Sequence, residues 1–176
     1  MKHTGWLLLA AIWGLWLVGC SARVEKDPNS TSISTPEEAV AVFLGALRAG
    51  DNEKATLVLT SKARREMVQR DLEVKSPGSP TAGYQIGQVE YLGEDNGGAH
   101  VASTWTDPGQ PGSRDSYQII WILRMEEAGW RIAGMAAELF EDELPLILNF
   151  EEPDEMVRKV DQADQEMARR NSSTLR

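Results

Sequence analysis

The sequence predicts an α+β fold, with N-terminal helices packed on a curved antiparallel sheet and a further helix at the C-terminus. Three observations predict it. Between residues 35 and 72 apolar residues recur at helical spacing. From residue 84 to 140 the period falls to two, and Gly-rich turns cut the run into strands. Past residue 151 helical spacing returns on a highly charged background. Helices first and an antiparallel meander afterwards segregate the helices to one face of the sheet.

The first helix opens at "STPEEAVAVFLGALRAGD". Thr35 suits the N-cap, Pro36 the first helical position, and Glu38 closes a capping box. Val40, Phe43, Leu44 and Leu47 form one apolar face, and Gly50 is the stop. Asp51 can cap a second helix, "NEKATLVLT", and Ser61 a third, "KARREMVQRDL", whose buried side is Ala63, Met67, Val68 and Leu72. "KSPGSPTAG" then breaks the chain.

"YQIGQVEYLG" is the first strand; its apolar parity switches near Gly87, which predicts a bulge or bend there. "EDNGG" is a hairpin turn into "AHVASTWTD", with Val101, Ser103 and Trp105 on one side. "SYQIIWILRM" is apolar on both faces in its middle, so it belongs at the centre of the sheet. "EEAG" returns it into "WRIAGMAAELF". "ELPLILNF" lies between two acidic clusters, and Pro145 argues against an interior strand; it either closes the sheet's mouth or shows an apolar patch to a partner. Pro153 opens a last helix with Met156, Val160, Ala163 and Met167 in a narrow stripe, which packs on the domain or docks a partner helix. The final "NSSTLR" reads as frayed.

The termini carry a separate message. Residues 5–19 are an uncharged run behind Lys2, shorter than the roughly 20 residues a spanning helix needs, and match a secretory signal. The run stops at "LVGC", and Cys20 is the single cysteine of 176 residues. Leu17, Val18, Gly19 and Cys20 resemble a bacterial lipobox. That resemblance implies cleavage before Cys20, attachment of lipid to that residue, and anchoring to a membrane by several acyl chains. The expected organisation is a signal peptide over 1–19, a flexible tether over 20–34, an α+β domain over 35–150 and a charged helix and tail over 151–176. The expected location is the bacterial cell envelope, outside the cytoplasm on the periplasmic side.

"TPEEAVAVFLGALRAGDNEKATLVLTSKAR", "YQIGQVEYLGEDNGGAHVASTW" and "YQIIWILRMEEAGWRIAGM" together resemble the nuclear transport factor two-like superfamily over roughly residues 35–140. The resemblance implies a sheet curled into a cone around a pocket, and a protein that is an isomerase, a dehydratase, a carrier or an interaction module. Phe43, Leu47, Tyr84, Trp105 and Trp121 are the candidate pocket residues, and the competing reading is that they fill the core.

Chemistry finds little support. The chain carries a net charge of −9, and loss of residues 1–19 makes it one unit more negative. Such a surface repels nucleic acid and anionic headgroups alike. His100 is the only histidine beyond the signal; it is a candidate general base with Glu90, Glu94 and Asp95 nearby, or else an exposed strand residue. No Cys pair, His pair or HExxH motif predicts a metal, and no phosphate loop or nucleophile elbow predicts a cofactor or covalent catalysis. The expectation is a non-enzymatic envelope lipoprotein that binds a protein partner or small ligand through the cone or the C-terminal helix. The alternative is a small-molecule isomerase, dehydratase or hydrolase acting in the cone.

Overall fold

A computed structural model describes residues 32–107, 116–140 and 143–174. The expected signal peptide, Cys20, the tether up to residue 31 and the loop over 108–115 lie outside these residues. The elements run α1 (Pro36–Ala49), α2 (Asn52–Val58), α3 (Ser61–Gln69), β1 (Gly83–Leu92), β2 (Gly98–Thr106), β3 (Ser116–Glu126), β4 (Gly129–Ala137), β5 (Leu146–Asn149) and α4 (Pro153–Thr174). The five strands form one antiparallel sheet in chain order, β1-β2-β3-β4-β5. This is the α+β arrangement of helices, curved sheet and C-terminal helix that the periodicity predicts.

Local chemistry sets the helix ends. Thr35 Oγ1 accepts from the Glu38 N–H at 3.2 Å. The Glu38 carboxylate turns back over the start of the helix, where the N–H and hydroxyl of Ser34 donate to it at 2.8 and 2.9 Å; together with the weaker contact from the Thr35 N–H they hold its pKa below the ordinary value. Gly50 ends α1 in the left-handed region at φ 71°, where a side chain is disfavoured. Asp51 caps α2 through the Lys54 N–H at 3.0 Å. The cap of α3 is Thr60 and not Ser61: Thr60 Oγ1 accepts from the Ala63 N–H at 3.1 Å. Ser61 is the first helical residue, and its N–H and hydroxyl both donate to Glu126 of β3.

The core lies between the helices and one face of the sheet. Val40, Phe43 and Leu44 of α1, Ala55 and Val58 of α2, and Ala63 and Met67 of α3 are buried against Val101, Trp121, Leu123 and Ile132. Burying each large apolar side chain contributes about 1.5–3 kcal/mol before the entropy of ordering is charged. Val68 does not join them. It is 76% exposed, because one residue beyond Met67 turns it about 100° off the buried stripe. The joint between α2 and α3 is pinned to β4: Leu59 bridges Ile132, and the Thr60 N–H donates to the Ile132 carbonyl at 2.9 Å.

Three features of the sheet shape its faces and edges. Register slips between Ile86 and Val89, so Gly87 and Gln88 of β1 together oppose Ala102, which is the bulge expected at Gly87. β3 is the middle strand of five. "ELPLILNF" supplies a four-residue edge strand, β5, starting just after Pro145, where the missing N–H costs no ladder bond. Helix α4 starts against α3, where Arg70 grips Asp154 through Nε and Nη2 at 2.7 and 2.8 Å, and then runs beside β5. It continues through Thr174, into the segment that reads as frayed. Among the described residues no helix is long and apolar enough to cross a membrane.

Candidate functional site

Strand alternation sends odd and even residues of β2 and β3 to opposite faces. Ala99, Val101 and Ser103 of β2, and Trp121 and Leu123 of β3, face the helices and are buried. The five candidate pocket residues share this side. Phe43 and Trp121 pack edge to face with ring centroids 5.2 Å apart and are 4% and 2% exposed. Tyr84 and Trp105 stack at 6.4 Å, with the Arg48 guanidinium 6.0 Å from the Tyr84 ring, and the Tyr84 hydroxyl donates to the Ala41 carbonyl. Leu47, Tyr84 and Trp105 are partly buried against the same core. Four cavities among the described residues are lined by other side chains.

The even residues build a different surface on the outer face. Ala102, Ile120, Ala136 and Ile147 are register partners in turn across β2, β3, β4 and β5. The next row is Glu90, His100, Ile122, Gly134 and Asn149. Two isoleucines thus stand among small residues, which leaves a trough. Its volume is about 470 Å³, and Ile120 and Ile147 are 44% and 50% exposed in it. Pro145 walls one side, while Gln118 and Glu138 close one end and His100 the other. Gly134 lets β5 come close, since a Cβ there would strike the Leu148 carbonyl oxygen.

A second cavity of about 370 Å³ adjoins the first and shares Pro145 and Ile147 with it. Its other wall is α4, where Ala163 of the predicted stripe faces Leu139, Phe140 and residues 143–147. Val160 and Met167 of that stripe remain 36% and 37% exposed. Arg170 places its guanidinium 3.9 Å from the Phe140 ring centre and pairs with Glu143 and Glu166. Leu144 stands 94% exposed beside this cavity.

His100 lines the larger cavity, with its side chain 38% exposed. Its Nδ1 is 4.0 Å from Glu90 Oε2, beyond hydrogen-bond reach, and the Glu90 side chain is 76% exposed. Glu94 and Asp95 lie in the β1–β2 turn, where Asp95 accepts from the Gly97 N–H. Buried charge is concentrated elsewhere. Glu151, 8% exposed, accepts from Thr60 Oγ1 at 3.0 Å and faces Arg124 at 3.6 Å. Arg131, 6% exposed, donates to the carbonyls of Trp130 and Ala128, and burial, then the nearby Arg64 charge, lowers its pKa. Among the described residues no group of three or more His, Cys, Asp or Glu is placed to hold a metal ion.

Sequence patterning directs attention to the helix-covered face and passes over Ile120, Ile122 and Ala136; of the trough's lining it singles out Pro145 and Ile147, in the segment read as a mouth closure or a partner patch. A signal is present in "QIIWIL", whose alternate isoleucines point away from Trp121. It lacks the register that sets Ala102 and Ala136 beside Ile120. No protein-family model matches this chain, nor does any curated protein or solved structure.

Proposed function

We propose that this chain is a non-enzymatic binding module of the bacterial cell envelope, held at a membrane through acyl chains on Cys20. The lipobox-like "LVGC" supports the anchor. Three helices followed by an antiparallel meander support the resemblance to the nuclear transport factor two-like superfamily. The observation that carries the binding role is the division between the two faces of the sheet. The helix-covered face is packed with Phe43, Trp121 and their neighbours, whereas the outer face keeps an apolar trough beside α4. Half-exposed isoleucines grouped in a cavity of this size are the usual make-up of a ligand or partner site.

Two measurements test this reading. A Cys20→Ala variant should leave the membrane fraction or accumulate as an uncleaved precursor; full processing and retention would remove the anchor. A photo-crosslinking amino acid at Ile120 should form an adduct in cells, read by intact mass, that the same group at exposed Glu73 does not form. Equal adducts at both positions, or none at Ile120, would remove the site.

One observation favours a second reading, a small-molecule isomerase, dehydratase or hydrolase. His100 lines a cavity with a carboxylate 4.0 Å away. A general base needs closer contact with its orienting group, and the trough offers it only Gln118 and Glu138 as further polar side chains.

A further inference from the structure

The charges around the outer trough are unevenly satisfied. Glu138, at one end, has no hydrogen bond or ion pair among the described residues. At the other end Glu90 faces only His100, at 4.0 Å. The neighbouring cations are already engaged. Arg124 faces Glu151 at 3.6 Å. Lys159 pairs with Glu155 at 2.8 Å and donates to the Ile147 carbonyl at 3.0 Å. Arg170 is held by Glu166 and Glu143. Among the described residues no lysine or arginine lines the trough. Its floor is hydrocarbon with an unneutralised carboxylate at the end, in a chain of net charge −9.

We infer that the trough is a binding site for a small aliphatic organic cation. Its ammonium group sits at Glu138, and its hydrocarbon body lies over Ile120, Ala136 and Ile147. This rests on the binding-module reading and names the ligand class for it. The size of the cavity favours a free small molecule over a protein surface: about 470 Å³ falls within the usual range for such ligands. The rows of His100 and Gln118 are four β2 positions apart through their partners His100 and Thr104, so the floor is about 13 Å long. That length takes an extended chain of six to eight carbons. An aliphatic carboxylate would meet Glu138 with like charge, and an alcohol would leave Glu138 without a counter-ion.

The test uses the full chain in lipid nanodiscs, with isoleucine methyl groups isotopically labelled and empty nanodiscs as the partition control. The probes are n-hexylammonium chloride, sodium hexanoate and 1-hexanol. Hexylammonium should shift the Ile120, Ile122 and Ile147 methyl signals saturably while the core methyl of Ile132 stays put. Its affinity should exceed that of hexanoate by about tenfold. Glu138→Gln, an exposed change that leaves the fold intact, should weaken hexylammonium by about threefold and leave hexanol unchanged. Ala136→Phe should abolish all three responses by filling the trough. Equal binding of all three probes would overturn the cationic class while leaving the trough a site. A polypeptide adduct at position 120 with no methyl response to hexylammonium would overturn it in favour of a protein partner. Neither adduct nor response would overturn both this inference and the binding-module reading.

Discussion

The Trp121 indole N–H donates to Ser103 Oγ at 2.8 Å, across neighbouring strands and inside the core. Both residues are 2% exposed, so the indole has no water to fall back on. Removing the hydroxyl strands a buried donor, which costs about 1–3 kcal/mol. Ser103→Ala should therefore lower the urea midpoint. Adding Trp121→Phe to it should cost less than the two single losses summed, because the stranded donor is then gone. Strict additivity in that cycle would show that the bond contributes nothing beyond packing.

Thr60 joins three parts of the molecule through one side chain. Its hydroxyl accepts from Ala63 as a helix cap and donates to Glu151 in the turn before α4, and its N–H donates to β4. Thr60→Ala loses the cap and one partner of a buried carboxylate, for about 1–3 kcal/mol. Thr60→Ser should recover most of that, since it keeps the oxygen. Equal denaturation midpoints for Thr60→Ala and Thr60→Ser would assign the loss to the methyl group's packing instead.

Gly129 turns β3 into β4 at φ 102° and bridges Ile33. A Cβ there would strike the Ile33 carbonyl oxygen, so the N-terminal segment must move away from the sheet. Gly129→Ala should destabilise by about 1–3 kcal/mol and expose residues 32–34 to rapid amide exchange. Unchanged protection of the Trp130 amide, which donates to Ile33 at 3.0 Å, would refute this.

Acid acts on the link between α3 and α4 in a definite window. Hydrogen bonds from Arg70 hold the Asp154 carboxyl below its ordinary value of 3.8. A depressed folded-state pKa stabilises in full above the ordinary value and is lost as pH falls through the folded one. The link should therefore persist unchanged from neutrality to about pH 5 and weaken only below 3.8. Carboxyl ¹³C titration should place Asp154 below 3.8 in the native protein and near it in Arg70→Gln. A native midpoint at or above 3.8 would contradict the contact. Glu166, lowered to about 2 by its hydrogen bonds to Arg169 and Arg170, should stay ionised throughout that range.

Much of this fold is written locally. Thr35, Pro36 and Gly50 bound α1 by short-range chemistry, and the parity switch at Gly87 announces a bulge or a bend, of which the register shows the bulge. Errors arise where a distant partner decides. Thr60 displaces Ser61 as the cap because its N–H is committed to Ile132, while Ser61 turns to Glu126, 65 residues away. Val68 has the hydrophobicity of a core residue but lies off the stripe that meets the sheet. The candidate site is the least legible part. Its trough depends on small residues of two strands, Ala102 and Ala136, lying next to one isoleucine of a third, and only the register brings them together.

The bulge at Gly87 and Gln88 has a bearing on solubility. β1 is the terminal strand of the sheet, and ten residues of regular edge would offer a template for another chain's backbone. The inserted residue divides that edge into two stretches of four, 83–86 and 89–92, whose bonding groups no longer continue in phase. A second sheet adding there could form half a ladder and then lose step. That interruption is a built-in guard against edge-to-edge polymerisation.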